Sequence, residues 1–599
     1  MNASHFLCLY LIIGIYCDSH SFCGSNFLPK IDKKKLLINS TKKFSNKRKL
    51  APKEYTPLNI IIDKTYLSYQ LQNNIINDER NSLIKDALDS AASLLSSLIL
   101  VEKNDFKVTL TENQILENCY LGEHLYNASL FQTDALSSDT VVIFPRIHFF
   151  KQSNPKNVLS SASFCAMNYE GRPLAGYIFI EGNLTDIEIR KYNADKYFTM
   201  IFLHELTHIL IFDSELLKMN KNIEIIEEKV EILNKVRTLL SSPKVLSMAK
   251  RHFGCESIRG IELENQDYDW RNEQFQKENI GNPVDKYGNH WDARVMLTDY
   301  MTATNYDESV ISEITLALFE DSGYYKVNYY TGGLFRYGKN QGCEFLDSYC
   351  VYGDVSLHKN EFCISEGTTM CTPGRMHRAM CGLTTYPTSL EKNYTYFTDS
   401  RKGGHLPQAD YCPVAKTNTT MSRTYYYQGH CDYGELEEYP RKLGYTMNNE
   451  SICLLSSLTP KDEPELIEYP GNFRALCYLV DCYENNDEKV VRIFIGDNVI
   501  YCPTSGGQQT LDGYYGYILC PDYNLICTGT HWCIDTIDCI EKMSEPKNES
   551  FYYHYKSSTS QEYLSLLDYK ITHESKVNNE DYLKFSLKFI FFFFCIIIL

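Results

Sequence analysis

The sequence predicts a multidomain α+β and α/β protein. A twisted mixed sheet with helices is expected first, then a helical subdomain, and last a disulfide-rich, mostly β C-terminal domain. The chain has 599 residues, which exceeds one compact core and suggests roughly two to four domains. Strand-like apolar runs alternate with helical patterns in the first part of the chain. Fifteen of the 22 cysteines lie between Cys343 and Cys539.

The first 54 residues are predicted to be a leader and a linker. Residues 1–22 resemble a signal peptide, because the apolar run Phe6–Cys17 is too short to span a bilayer, although no Lys or Arg precedes it. Residues 23–54 are basic, with ten Lys or Arg between Lys30 and Lys53. We interpret them as a cleavable pro-segment, and a solvated basic patch is an equally good interpretation.

Residues 55–213 are predicted to form the first α/β subdomain. The apolar runs Leu58–Asp63 and Thr140–Ile147 favour buried strands, and a helical pattern, residues 81–100, lies between them. A further strand is predicted at Gly176–Asn183. A helix then begins at about Ala194.

Residues 214–350 are predicted to form a second, helical subdomain. The segment Asn222–Leu240, NIEIIEEKVEILNKVRTLL, has the pattern of an amphipathic helix, and Thr315–Phe319 lies in another helix. From residue 351 to residue 560 the pattern changes to short strands, turns, tyrosines and cysteines.

The cysteines indicate an oxidising compartment. Without Cys8, Cys17, Cys23 and Cys595, which lie in the leader and the tail, 22 − 4 = 18 cysteines remain, enough for nine disulfides. The sequence does not reveal their pairing. Acceptor triplets for N-glycans also suit a secreted chain; they begin at Asn39, Asn127, Asn183, Asn393, Asn418, Asn449 and Asn548.

Residues 561–599 resemble a membrane-anchor signal. The chain ends in the apolar run Phe589–Leu599, which follows a polar spacer with small residues. This order is typical of a glycolipid anchor, with Ser575, Asn578 or Asn579 as attachment sites. A short tail anchor is the alternative. The protein is therefore expected at the cell surface, held to the membrane through its C-terminus.

The composition excludes one class of partner. The formal net charge is −17, and proteins that bind nucleic acids usually present basic surfaces. We therefore expect no nucleic-acid partner.

A candidate metal site lies in the stretch FLHELTHILIF. His204 and His208 are four residues apart, so on a helix they face the same way, with Glu205 beside them. Neutral imidazoles suit Zn²⁺, but a catalytic zinc site needs a third protein ligand and a position for water.

The sequence offers two candidates for the third ligand. Glu227 and Glu228 follow on the predicted amphipathic helix, where acidic residues are usually solvated. His290 precedes a tryptophan, and a methionine in a turn-like setting, Met301, follows 11 residues later. We favour His290, because this combination is rarer than two helical glutamates.

The ordered motifs identify a family resemblance. HELTH, NHWDARVMLTDYM and the upstream FCAMNYEGRPLAGY together resemble the leishmanolysin-type zinc metalloproteases, a branch of the metzincins. The resemblance covers about Tyr55 to Cys539. It implies a metzincin-like catalytic part in which one zinc per chain is held by His204, His208 and His290. It also implies Glu205 as general base and Met301 in a turn beneath the metal.

The resemblance suggests a surface endopeptidase that cleaves extracellular proteins and peptides by metal-activated water. One departure suggests an alternative. The family has a glycine three residues after the second histidine, where this chain has Ile211. A β-branched residue resists the positive φ that glycine allows. The alternative is therefore a catalytically inactive relative that serves as an adhesion or coat protein.

Latency is a further question for a zinc hydrolase. A pro-segment thiol can occupy the open position of zinc, and Cys23 is the only cysteine between the apolar run of the leader and the basic segment. It is a candidate switch residue. Equally well, Cys23 has no switch function and is a residue left beside the signal-cleavage point.

Overall fold

The structure, a computed structural model, describes residues 54–527 with internal gaps. The gaps are residues 73–77, 104–106, 109, 111–117, 120–135, 149–158, 183–193, 234, 266–267, 270–273, 276–286, 305, 307, 330–334, 418–428, 432–445, 447–450, 463, 465–472 and 486–487. Among the described residues, no helix is both long enough and apolar enough to cross a membrane.

The described α-helices, in chain order, are α1 (Thr65–Gln72), α2 (Asp78–Leu98), α3 (Ala194–Leu210), α4 (Ser214–Met219), α5 (Pro243–Phe253), α6 (Ala293–Met296), α7 (Glu313–Asp321), α8 (Gly342–Asp347) and α9 (Tyr523–Ile526). In the described part of the chain, short 3₁₀ helices cover Lys392–Tyr394 and Pro407–Ala409.

The described strands up to residue 291 are β1 (Tyr55–Pro57), β2 (Asn59–Ile62), β3 (Ile99–Glu102), β4 (Lys107–Val108), β5 (Leu136–Ser137), β6 (Thr140–His148), β7 (Ser160–Met167), β8 (Pro173–Glu181), β9 (Ile225–Val230), β10 (Lys235–Leu240), β11 (Ile261–Asn265), β12 (Tyr268–Asp269), β13 (Gln274–Phe275) and β14 (Tyr287–Trp291).

The later strands are β15 (Tyr325–Val327), β16 (Val351–Tyr352), β17 (Val355–Ser356), β18 (Thr369–Cys371), β19 (Arg378–Cys381), β20 (Leu383–Thr385), β21 (Lys402–Gly404), β22 (Ala415–Thr417), β23 (Ser451–Ser456), β24 (Thr459–Pro460), β25 (Arg474–Asn485), β26 (Glu488–Ile495), β27 (Asn498–Cys502), β28 (Gly507–Gln509), β29 (Tyr514–Tyr515) and β30 (Ile518–Cys520).

The chain divides into two compact units. Among the described residues, the first contains those within 54–329, 335–368 and 381–416, and the second contains those within 369–380 and 417–527. The two units are described separately below.

A mixed four-stranded sheet forms the first layer of the first unit. Its order is β2-β6-β8-β7, with β2, β6 and β8 parallel and β7 antiparallel to β8. Helices α2 and α3 pack on this sheet and on each other. The helix α3 comes close to β8 at Gly176, where an added Cβ would lie 2.4 Å from Cγ2 of Ile209. The strands and both helices predicted in this region are confirmed.

A second sheet in the first unit corrects one prediction. The segment predicted as an amphipathic helix, Asn222–Leu240, instead contains the antiparallel strands β9 and β10. Strand β10 alternates between buried and exposed side chains at its start, but the buried positions are Lys235 and Arg237. A period-two apolar pattern was therefore absent from the sequence, because two charged residues occupy the inner face.

This sheet has the order β14-β11-β10-β9. The predicted helical subdomain, residues 214–350, is thus a mixture of sheet and helix. The helix expected at Thr315–Phe319 is confirmed as part of α7.

Lys235 lies at the centre of a buried ion cluster. Its Nζ is 2.6 Å from Oε1 of Glu262, 2.6 Å from Oδ2 of Asp410 and 3.5 Å from Oδ2 of Asp292. Burial alone would lower the pKa of Lys235, but the three carboxylates hold that pKa well above its usual value. The amine is therefore charged, and it forms direct ion pairs with these buried carboxylates.

Replacing Lys235 with methionine should destabilise the protein strongly. The substitution keeps most of the side-chain volume but leaves the carboxylates of Glu262 and Asp410 buried without their cation. Loss of one partner of a buried ion pair costs about 3 to 5 kcal/mol in the free energy of unfolding. Urea unfolding with intact disulfides would measure the loss.

The matched control for this change is Lys103→Met, since Lys103 pairs with Glu54 at an exposed site. An exposed pair contributes about 0 to 1 kcal/mol, so the control should unfold at nearly the parent midpoint. Equal midpoints for both variants would show that the buried cluster does not stabilise the fold.

The second unit is built on an antiparallel six-stranded sheet with the order β27-β26-β25-β23-β30-β28. Its apolar core includes Tyr478, Val491, Ile493 and Ile518, all nearly inaccessible to solvent. This sheet-rich region agrees with the predicted mostly β C-terminal part of the chain.

The described residues contain eight disulfides. They join Cys119 to Cys165, Cys255 to Cys343, Cys350 to Cys412, Cys363 to Cys381, Cys371 to Cys453, Cys431 to Cys477, Cys482 to Cys527 and Cys502 to Cys520. Sixteen of the eighteen cysteines set aside for pairing are thus used, and the other two, Cys533 and Cys539, lie outside the described residues.

Candidate metal centre

Two histidines of α3 face one another across a single helical turn. His204 and His208 are both fully buried, and their Nε2 atoms are 2.8 Å apart. A separation of four residues places side chains on one helix face, which is why the sequence spacing leads to this contact. The helix buries most of its surface in the first unit, so the pair lies inside the protein.

The strand β14 brings a third histidine to this pair. The ring centroid of His290 lies 5.1 Å from that of His204 and 4.9 Å from that of His208. One ligand nitrogen from each of the three residues lies within 4.8 Å of the other two. Residues 82 and 86 positions apart in the chain therefore share one buried cluster.

Each of the three imidazoles is held through its Nδ1 atom. His204 Nδ1 lies 2.5 Å from the carbonyl oxygen of Tyr300, and His208 Nδ1 lies 2.7 Å from that of Phe212. His290 Nδ1 lies 2.6 Å from Oε1 of Glu264. A carbonyl oxygen can only accept, so Nδ1 donates in the first two rings and Nε2 carries the lone pair when the ring is neutral.

The electrostatics of the cluster favour neutral rings. Burial, followed by the neighbouring His208 and His290, lowers the pKa of His204 well below its usual value. Burial and the neighbouring His290 lower the pKa of His208 in the same way. Neutral imidazole is the form that binds a metal ion.

The donor set fits zinc. Lone pairs on two Nε2 atoms at 2.8 Å repel one another unless a cation or a proton lies near them. The Nε2 atom of His290 is buried and makes no hydrogen bond to the described residues. Three imidazole nitrogens with hydrogen-bonded Nδ1 atoms are a common zinc environment, because the second partner orients each ring and fixes its tautomer.

Glu205 directly follows the first of these histidines on α3. Its side chain is fully buried, and its Oε1 accepts a hydrogen bond from the hydroxyl of Ser160 at 2.5 Å. A buried carboxylate next to a metal site can take and return a proton during a reaction.

Met301 lies in a tight turn that connects the elements of the site. Its amide donates to Oδ1 of Asp299 at 2.7 Å, and its carbonyl oxygen accepts from the amide of Trp291 at 3.0 Å. The preceding carbonyl, of Tyr300, accepts from His204. Burial raises the pKa of Asp299 to about 6, although its hydrogen-bond donors favour the charged form. The turn thus holds the helix α3 and the strand β14 together.

Ile211 adopts an ordinary backbone conformation. The helix α3 ends at Leu210, and the amides of Ile211 and Phe212 both donate to the carbonyl oxygen of Thr207 at 2.9 Å. Ile211 is not among the described residues with positive φ, and its side chain is fully buried. The chain therefore leaves the helix here without the conformation that only glycine adopts easily.

Changing Ile211 to glycine should not improve the site. The change would remove a buried side chain and loosen the backbone, which together cost about 3 to 5 kcal/mol in the free energy of unfolding. The zinc affinity, measured by competition with a chelator, should stay equal or fall. Ile232→Gly is the control, because Ile232 is 63% exposed. Tighter zinc binding in Ile211→Gly would show that the isoleucine distorts the site.

The other residues singled out in the sequence lie elsewhere. Glu227 and Glu228 lie on β9, and Oε2 of Glu228 accepts from Nη2 of Arg237 at 2.6 Å. Neither belongs to a described cluster of metal-ligating groups. Cys23 lies outside the described residues.

Two residues of the site were missed in the sequence. Glu264 binds His290, and Ser160 binds Glu205. Glu264 alternates with Glu262 on β11, and acidic residues at two inward positions of a strand are a signal that could have been noticed. Ser160 offers no comparable signal, because serine is common and the strand contains three.

The comparison with known proteins gives a consistent set of relatives. The family model of leishmanolysin, Peptidase_M8, matches residues 69–534. The chain is 24% identical to leishmanolysin of Leishmania donovani over 473 aligned residues. The alignment covers 76% of this chain and 72% of the relative.

Two other relatives match over shorter spans. The leishmanolysin homolog of Crithidia fasciculata is 26% identical over 381 residues, 62% of this chain and 53% of the relative. The leishmanolysin-like peptidase of Drosophila pseudoobscura pseudoobscura is 26% identical over 336 residues, 51% of this chain and 46% of the relative. The chain thus spans about half the length of these two relatives.

Proposed function

Because the chain belongs to the leishmanolysin family, a family of metalloproteases, we propose that it is a zinc-dependent endopeptidase that hydrolyses peptide bonds of extracellular proteins. One observation carries the proposal. Three buried imidazoles converge through their ring nitrogens, and a buried glutamate lies beside them. A protein with only a structural or binding role has no need of that combination.

His204, His208 and His290 would hold one zinc ion per chain. Three protein ligands leave a coordination position for water, which is the arrangement of catalytic rather than structural zinc. When bound, zinc lowers the pKa of water toward neutrality and polarises the carbonyl group of the scissile peptide. Glu264 and the carbonyl oxygens of Tyr300 and Phe212 keep the three rings in place.

Glu205 is the proposed general base and acid. Its carboxylate would take the proton of the attacking water and then deliver it to the leaving amine nitrogen, so that the peptide bond breaks with no net change in the glutamate. The burial of Glu205 excludes competing bulk water from this proton transfer. Met301 contributes by packing in the turn beneath the histidines.

The alternative of an inactive adhesion or coat protein is not favoured. It was suggested by Ile211, and that residue has an ordinary φ in the structure. The three proposed ligands lie in one buried cluster, and Glu205 directly follows His204 in the chain.

The experiment that tests the proposal uses the full chain, expressed in a secretory host and freed of its pro-segment during maturation. We expect about one zinc per chain, cleavage of casein, and loss of that cleavage with a hydroxamate, which chelates zinc. A zinc-loaded protein that cleaves neither casein nor a mixture of unfolded proteins would overturn the proposal.

We also propose that the protein acts at the cell surface. The support is the leader, the cysteine usage and the polar and apolar segments of residues 561–599. Treatment of expressing cells with a phospholipase specific for glycolipid anchors should release the protein. Retention on the cells after this treatment would contradict the glycolipid anchor and support a tail anchor.

A further inference from the structure

We propose that Ser160 is a positioning residue for Glu205, which orients the carboxylate for proton transfer. The inference rests on the proposed function for its catalytic consequence. The hydroxyl of Ser160 lies 2.5 Å from Oε1 of Glu205, and both side chains are fully buried.

The contact joins two elements of the first unit. Ser160 begins β7, the antiparallel edge strand, and is paired in register with Ile180 of β8. Glu205 lies in the middle of α3, which packs on both strands. The hydrogen bond therefore ties the helix that carries the site to the first residue of the edge strand.

The chemistry fixes the direction of the hydrogen bond. An ionised carboxylate can only accept, so the serine hydroxyl donates its proton to Oε1. Hydrogen bonds with one charged partner are about twice as strong as neutral ones. In a buried site such a bond restricts the rotation of the carboxylate before the reaction begins. Less conformational entropy is then lost on reaching the transition state.

The next residue on the strand offers a matched control. Ser161 is also fully buried, but successive side chains of a strand point to opposite faces. Its hydroxyl makes no hydrogen bond to the described residues. Ser160→Ala and Ser161→Ala thus remove the same group at the same burial, and only the first change removes a contact with Glu205.

Steady-state kinetics of the zinc-loaded full chain give the first readout. Ser160→Ala should lower kcat by about tenfold with KM unchanged, because the hydrogen bond acts on the base and not on the substrate. Ser160→Thr retains the hydroxyl and should restore most of kcat. Ser161→Ala should match the parent. Equal kcat values for Ser160→Ala and Ser161→Ala would overturn the catalytic part of the proposal.

Unfolding of the zinc-free full chain gives a second readout that does not depend on activity. A double-mutant cycle combines Ser160→Ala with Glu205→Ala, and a control cycle combines Ser161→Ala with Glu205→Ala. We expect a coupling of about tenfold in the unfolding equilibrium constant for the first cycle, as for a hydrogen bond to a charged group. The second cycle should be additive.

The two readouts separate this inference from the proposed function. If the parent never cleaves a protein but the first cycle is coupled, the positioning contact holds and the endopeptidase proposal fails. If the parent cleaves and the first cycle is additive, the endopeptidase proposal holds and the role of Ser160 is wrong.

Discussion

Replacing Glu205 with glutamine is expected to lower kcat/KM for casein by about 10²- to 10⁴-fold, while the protein keeps its zinc. Glutamine has nearly the same size and can still accept the hydroxyl of Ser160, but it cannot take a proton from water. General acid and base catalysis by one side chain contributes about this factor. Zinc content by atomic spectroscopy and initial cleavage rates would be measured on the same preparation.

A second glutamate, Glu313, which is half-buried, provides the control. Burial raises the pKa of Glu313, at the start of α7, to about 7, so it is already partly neutral near physiological pH. Glu313→Gln should therefore change kcat/KM little. If Glu205→Gln cleaved casein as fast as Glu313→Gln does, another group would have to be the base.

The second large effect is expected at His290, where alanine should remove zinc and activity together. The change deletes one of three protein ligands and leaves Glu264 without its ring partner. Even the loss of an outer hydrogen-bond partner reduces metal affinity by about 10- to 100-fold, so the loss of a ligand should reduce it further. Dialysis against a chelator series, followed by metal analysis, would give the affinity.

His252→Ala is the matched control for His290→Ala. His252 is also buried, and burial lowers its pKa to about 3, but its Nε2 bonds to the carbonyl oxygen of Tyr337 and not to the cluster. This variant should keep zinc even if its stability falls. If His290→Ala kept a full zinc content, the third ligand would have to be sought elsewhere, first at Glu227 and Glu228.

The elements that position the candidate site were predictable where the sequence pattern is local. The helix α3, its histidines one turn apart and the buried strands β6 and β8 follow from periodicity over short windows. The family resemblance, drawn from motifs spread along the chain, is confirmed by the match over residues 69–534. The resemblance implied that His290 binds the same metal as the histidines of α3. Periodicity over short windows cannot predict a contact between residues so far apart in the chain.

The remaining features depend on contacts between distant residues. Strand β10 was predicted as helix because its inward residues, Lys235 and Arg237, are charged. The carboxylate partners of Lys235 come much later in the chain. The pairing of the cysteines is likewise a property of the fold and not of spacing. Ser160 and Glu205 are 45 residues apart, and nothing near either residue indicates the contact.

The buried cluster around Lys235 has a consequence for the synthesis of this protein. Lys235 and its partner Asp410 are separated by 175 residues. At a translation rate of about 5 to 20 residues per second, Asp410 is synthesised on the order of ten seconds or more after Lys235. The first unit cannot bury this charge in its final form while the nascent chain is shorter. Its folding is therefore completed late, after most of the first unit has already left the ribosome.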